Sequence, residues 1–262
     1  MGKHTTISWT DATYNPWWGC EKVSPACTRC YAESFAHRMG YEVWGGERVA
    51  KRRFFGEKHW NEPINWNRDA AKAGKKIKVF CASMADVFEA RPDLDMWREK
   101  LWGLIAKTPN LIWLLLTKRP ENMVEMAPWK DRWPNNVWAG ATGEDQKWAE
   151  VRWEHLKKVP AVVRFLSVEP MLGPIDLSKL DGAVKDLHWV LVGGESGDGA
   201  RIMEPEWALN LRRQCEAAGV AYHFKQKGKV LAQLLKCKDE TGSDPAEWPE
   251  EFKLQQFPVG AA

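Results

Sequence analysis

The sequence has no apolar run long enough to cross a bilayer. Its longest, Leu111 to Leu116, falls far short of the roughly 20 residues that a membrane helix needs. Met1 to Thr10 is polar and lacks the apolar segment of a secretory signal, so a cytoplasmic chain with no membrane partner is expected. Net charge is small, +3 over 262 residues, and does not by itself argue for nucleic-acid binding. Tyrosine is scarce, four residues against 17 tryptophans, a balance that suits partly buried rings beside a cleft. The six histidines are dispersed, with no H-x-x-x-H pair. That ranks a metal-dependent hydrolase, with Glu144, Glu169 or Glu195 as its base, last among the enzyme readings. No internal repeat or linker interrupts the chain, and 44% hydrophobic against 28% charged residues excludes global disorder.

Cysteine is used in two ways. Cys81, Cys215 and Cys237 are scattered singly, whereas Cys20, Cys27 and Cys30 share the stretch W-W-G-C-E-K-V-S-P-A-C-T-R-C-Y, spaced C-x6-C-x2-C. Three thiols on one loop admit a disulfide with one cysteine left over, a zinc site, or an iron–sulfur cluster. In a reducing compartment the disulfide is the weakest of these. Structural zinc wants four ligands, and Cys27-x2-Cys30 is a good half without a second half of familiar spacing. The nearest imidazoles, His4 and His37, are poorly placed to complete it. An iron–sulfur cluster is ordinarily held by four thiolates, so three imply one iron open to a small molecule. Zinc with an open position and a cluster both stand.

The rest of the chain alternates strand and helix patterns. Asn15 to Gly19 reads as a short first strand and its exit, and Tyr31, Phe35 and Met39 recur at helical spacing, with Gly40 as the stop. Residues 41–76 show no clean period and interleave Trp44, Phe54, Phe55, Trp60 and Trp66 with cations such as Lys51, Arg52 and Arg53. Such a segment is either a stacking and phosphate-binding surface or a solvated insertion anchored by its rings. Strands follow at Ile77 to Ser83, Leu111 to Thr117, Val137 to Thr142, Val162 to Val168, Leu187 to Val192 and Val220 to Phe224, with helical patterns between. These are βαβ units of one parallel sheet, an α/β fold that is either a barrel, closed or partial, or an open doubly wound sheet. Ligands collect at the carboxyl ends of such strands. There stand the three cysteines, Ser83, Asp86, Thr117-Lys118-Arg119, Thr142, Glu144, Ser167, Glu169, Gly193-Gly194-Glu195 and Lys225-Gln226.

A three-cysteine loop after the first strand of a barrel resembles the radical S-adenosylmethionine (radical SAM) superfamily. More closely, the chain is similar to a phage- and prophage-associated family of three-Cys-motif proteins near that superfamily. The resemblance rests on I-S-W-T-D-A-T-Y-N-P-W-W-G-C (Ile7 to Cys20), S-P-A-C-T-R-C-Y-A-E (Ser24 to Glu33), L-L-T-K-R-P-E (Leu115 to Glu121), L-S-V-E-P-M-L-G-P-I (Leu166 to Ile175), V-G-G-E-S-G (Val192 to Gly197) and H-F-K-Q-K-G (His223 to Gly228). The superfamily's common spacing is C-x3-C-x2-C, and here the extra residues, Ser24-Pro25 among them, leave room either for a bulge that still brings the thiolates together or for a cluster that binds its ligand differently, or zinc.

The resemblance implies a single-domain partial (β/α)6-type parallel barrel of radical SAM type over residues 1–228. The aromatic and basic insertion 41–76 follows its first helix, and 229–262 is a C-terminal extension. It also implies that Cys20, Cys27 and Cys30 ligate a 4Fe-4S cluster, whose open iron chelates S-adenosylmethionine. With an external electron donor, that pair yields a 5′-deoxyadenosyl radical. The expected cofactor-binding residues are Tyr31, Ser83, Asp86, Thr142, Glu144, Ser167, Glu169, Gly193, Gly194 and Glu195. Ser83 and Asp86 are assigned to the methionine amino group, and Thr142 and Glu144 to the ribose. Lys118, Arg119, Arg201, Lys225 and Gln226 are the expected contacts to an anionic substrate. The expected reaction is of isomerase or lyase type on a nucleic-acid base or nucleotide, with a hypermodified thymidine in phage DNA as one target, in the host cytoplasm if the chain is viral. The competing reading is a zinc-binding nucleic-acid-binding or repair accessory protein without radical chemistry, for which basic charge should be continuous over one face.

Overall fold

The computed structural model describes residues 5–258, so the first four residues of the expected barrel segment and the last four of the extension lie outside the described residues. Strand β1 (Ala12–Thr13) opens a sheet that continues with β4 (Ile77–Cys81), β5 (Leu111–Thr117), β6 (Val137–Thr142), β7 (Arg164–Val168), β8 (Trp189–Gly193) and β9 (Ala221–Gln226). Every pair in it is parallel and the strands stand in chain order. The sheet curls into a half-barrel, the expected partial (β/α) barrel. Between β1 and β4, β2 (Trp17–Trp18) and β3 (Arg53–Phe54) pair antiparallel as a separate ribbon. The first barrel strand therefore precedes the Asn15 to Gly19 stretch expected to form it. That stretch is the strand's exit, and Gly19 bridges to Ala85 beyond β4.

Helices α1 (Tyr31–Arg38), α2 (Glu57–Trp60), α3 (Glu62–Lys72), α4 (Asp95–Ala106), α5 (Met123–Met126), α6 (Gln146–Leu156), α7 (Ala183–Asp186), α8 (Pro205–Ala218) and α9 (Lys229–Leu234) complete the described elements. Their ends follow local chemistry. The Asp145 carboxylate accepts a hydrogen bond from the Trp148 amide at 2.9 Å and caps α6. Pro205 starts α8, and Gly219, at φ +69°, ends it in the left-handed region.

Alternation along the strands sorts the core into two layers. On β5, Leu111, Trp113 and Leu115 face the helices, while Ile112, Leu114 and Leu116 face the hollow of the half-barrel. Both faces are buried, which explains the unbroken apolar run. The hollow is filled towards the amino ends of the strands by Phe80, Trp138, Phe165, Trp189 and Leu191, with Trp9 of the incoming chain among them. The Trp9 ring lies 4.6 Å from Phe80 and 6.2 Å from Trp189, centroid to centroid. Gly140 faces the same filling: a Cβ there would stand 2.2 Å from the Phe165 ring. His223 of β9 is fully buried, and one of its ring nitrogens lies 2.8 Å from the Ser8 hydroxyl. Burial pushes its pKa down from 6.5 to about 4.

The insertion is a folded part of this core. Trp60 and Trp66 are buried and meet Tyr14 edge-on, and Tyr14 in turn meets Trp113 of β5. Arg52 is buried; its guanidinium pairs with Glu89 and donates to the Val43 and Gly45 carbonyls, both at 2.8 Å. Arg53 lies over the Trp18, Tyr41 and Phe55 rings. These cations serve the chain itself, so of the two readings of residues 41–76 the anchored insertion is the one realised at Arg52 and Arg53. The C-terminal extension packs back on β9: Trp248 and Phe252 meet Phe224, and the Gln256 carbonyl accepts from the Trp189 indole. No helix among the described residues is long and apolar enough to cross a membrane.

Candidate active site at the carboxyl rim

The carboxyl ends of the strands surround a cavity with an empty volume of about 1040 Å³ that is open to solvent. Its floor includes Trp9, Phe80 and Leu116, and one wall carries Cys20, Cys27 and Cys30. All three cysteines are free thiols, so no disulfide forms among them. Cys20 follows the β2 ribbon, Cys27 ends the short 3-10 turn Pro25–Cys27, and Cys30 is the N-cap residue of α1. The loop that the sequence places on the barrel mouth is therefore there.

The distances differ from the expectation. Among the described residues no group of three or more His, Cys, Asp or Glu is placed to hold a metal ion. Each sulfur has its own surroundings instead. The Cys20 thiol donates to the Glu21 carbonyl at 3.4 Å and takes a hydrogen bond from Arg119 at 3.6 Å. The Cys27 sulfur lies 3.9 Å from the Ser24 hydroxyl. Burial pushes the Cys20 thiol up to about 12, with Asp86 adding to the rise and Arg119 opposing it. Burial also raises Cys30, against the pull of the Lys118 ammonium. The donor set is right in kind for a soft metal or cluster, three thiols on one wall. Their convergence is what the structure does not contain.

The expected cofactor residues divide into those that face the cavity and those that support it. Tyr31, Ser83, Asp86, Thr142, Ser167, Glu169, Gly194 and Glu195 line it. Glu144 and Gly193 do not. Glu144 is fully buried and paired with Arg152 at 2.5 Å. Asp86 lines the cavity, yet its carboxylate already accepts from the Thr117 hydroxyl at 2.6 Å, the Phe88 and Lys118 amides at 3.0 and 3.1 Å, and Arg119 at 3.0 Å. Such a saturated carboxylate holds the rim together. Ser83 takes part in the same framework: its carbonyl accepts from the Tyr31 hydroxyl, and its side chain meets Asn15.

The expected anion-binding cations are committed as well. Arg119 pairs with Asp86, Arg201 with Glu195 at 2.5 Å, and Lys225 with Glu169. The Gln226 amide donates to the Gly194 carbonyl at 2.8 Å. Lys118, which lines the cavity, is the exception: no carboxylate pairs with it among the described residues. The glycines earn their place by close approach. A Cβ on Gly194 would stand 2.2 Å from the Lys227 carbonyl, and one on Gly197 would stand 3.0 Å from that of Arg29. The sequence reading missed Arg152, Trp9 and Asn15. Arg152 did carry a signal, as an arginine among Ala149, Trp153 and Leu156 on the inner side of α6.

A family model described as "Protein of unknown function (DUF5131)" matches residues 4–248. No curated protein matches the chain. Among solved structures, a mutant spore photoproduct lyase with bound AdoMet and dinucleoside spore photoproduct is similar to it, with a TM-score of 0.46 and 12% sequence identity. The alignment covers 83% of this chain and 65% of that one, so the chain spans just under two thirds of that protein.

Proposed function

The chain belongs to the DUF5131 family, and we propose that it is a radical SAM-like enzyme of isomerase or lyase type working at the carboxyl rim of its half-barrel. The observation that carries this reading is the shared wall of Cys20, Cys27 and Cys30, three free thiols facing one open cavity. They would hold a 4Fe-4S cluster, and the absence of a fourth cysteine from that wall leaves one iron for S-adenosylmethionine. When bound, and given a low-potential one-electron donor, this pair would supply the chemistry of hydrogen-atom abstraction from the substrate.

The chain's own residues do the rest. Thr142 and Ser167 line the cavity with hydroxyl side chains, and Trp9 and Phe80 give it an apolar floor. Lys118 offers a positive charge for an anionic group, since the neighbouring cations are already neutralised. The substrate we propose is a nucleic-acid base or nucleotide, displaced from any stack so that it reaches the cavity. The zinc-binding accessory reading draws no support from the insertion, where Arg52 and Arg53 are held by Glu89 and by aromatic rings.

Anaerobic reconstitution with iron and sulfide tests the proposal. A visible iron–sulfur absorption band is expected, then 5′-deoxyadenosine after addition of reductant and S-adenosylmethionine. Stoichiometric zinc, no cluster and no nucleoside product would sink it.

A further inference from the structure

The residues that lengthen the cysteine motif are not slack. Three carboxylate–guanidinium pairs stand around them, with Asp86–Arg119 and Glu144–Arg152 buried and the buried Glu195 holding the half-buried Arg201. Each pair extends one further hydrogen bond to the backbone between Cys20 and Cys27. Arg119 donates to the Glu21 carbonyl at 2.8 Å. Arg201 donates to the Pro25 carbonyl at 3.0 Å. Glu144 accepts from the Ala26 amide at 3.3 Å. Glu195 reaches the same loop from another side, with its carboxylate 4.0 Å from the Arg29 guanidinium.

We infer that these pairs are staples: Arg119, Glu144 and Arg201 are positioning residues that fix the spacer between the first two cysteines against the barrel, before any cofactor binds. The physical reason lies in the backbone. A spacer of this length has amides and carbonyls that no strand or long helix satisfies, and an ordered loop must pair them. Charged partners form stronger bonds than neutral ones, and a guanidinium can serve a carboxylate and a carbonyl together because its donors form a rigid fork. The longer spacing is thus matched by a dedicated set of partners on three different strand ends, and the sulfur of Cys20 is reached by the same Arg119 that holds its neighbour. Glu144, expected to bind the cofactor, and Arg119 and Arg201, expected to bind the substrate, each hold this spacer.

The inference rests on the cysteine-loop reading, but its test needs no cofactor. Hydrogen–deuterium exchange and peptide-resolved alkylation of Cys20 and Cys27 are measured on the full chain without added iron, for wild type, Arg201→Ala and Arg201→Lys. Arg213→Ala, which removes an exposed pair with Glu206, serves as the control. Arg201→Ala is expected to speed amide exchange over residues 21–27 by about tenfold or more, the shift that loss of one charge-assisted hydrogen bond produces. It should leave the β5 and β6 amides unchanged. Arg201→Lys keeps a cation for Glu195 but lacks the fork that reaches Pro25, so it should loosen the loop nearly as much. Faster exchange confined to residues 21–27 in both variants, and absent in Arg213→Ala, supports the staple. An unchanged loop in Arg201→Ala, full protection in Arg201→Lys, or loosening spread evenly over the barrel overturns it. If the loop behaves as expected and no cluster ever assembles, the proposed function fails while the staple stands.

Discussion

The two ends of the half-barrel are built by the same strands and held by opposite means. At the amino ends, Trp9, Trp138, Phe165 and Trp189 fill the hollow. At the carboxyl ends, Asp86, Glu144 and Glu195 each hold an arginine, and a member of each pair meets the cysteine loop. Burying large rings returns free energy without demanding a particular hydrogen-bond geometry. Burying ion pairs returns little net stability, because desolvation offsets attraction, but it penalises every misplaced partner. The floor therefore supplies stability and the rim supplies position. A cavity that must present three thiols and admit a ligand needs both.

The sharpest way to break this contrast is at the floor. Trp9→Ala removes a fully buried indole and should cost about 3–5 kcal/mol of unfolding free energy, read by denaturant titration. If the contrast holds, loop amide exchange in the still-folded population stays as in wild type. Acid probes the same region next. His223 is neutral in the folded protein, with its pKa lowered to about 4 by burial, whereas the unfolded chain binds that proton near 6.5. Below 6.5 the unfolded state therefore holds more protons. Stability is complete above that pH and falls as pH drops from 6.5 to 4, by about 3 kcal/mol in all from this residue. Comparing melting curves of wild type and His223→Gln over that window isolates the contribution, and parallel pH profiles would refute it. The smallest effect is expected at the rim. Lys118→Ala should change stability by no more than about 0.5 kcal/mol, since no carboxylate pairs with it among the described residues. It should weaken binding of an anionic nucleotide, read by equilibrium dialysis. A large loss of stability would show that Lys118 is structural after all.

Much of the scaffold was legible because its strands are buried on both faces. Leu111 to Thr117 and Val137 to Thr142 were marked by unbroken apolar or small residues, and the strands have those bounds. The first strand was misplaced because Ala12–Thr13 is too short to show alternation, while Trp17-Trp18 next to it has a strand-like composition. Helix α3 was unseen because its buried stripe comprises only Pro63, Trp66 and Ala70. The rim was legible as a place and not as a set of roles. Asp86 and Arg119 are separated by β5, so nothing local announces that each neutralises the other. A charged residue at a strand end reads as a ligand contact until its partner, from another strand end, is seen.

The ribbon of Trp17–Trp18 with Arg53–Phe54 brings the chain back almost to where it left the barrel. Everything between, including the three cysteines and α1, is an excursion closed at its neck. With the neck closed, changing the length of the excursion alters closure entropy only slowly, by about 0.6 kcal/mol for each doubling. A graft between Trp18 and Arg53 that changed the motif spacing would leave the seven-stranded register in place but forfeit the bonds that Arg119, Glu144 and Arg201 make to residues 21–26.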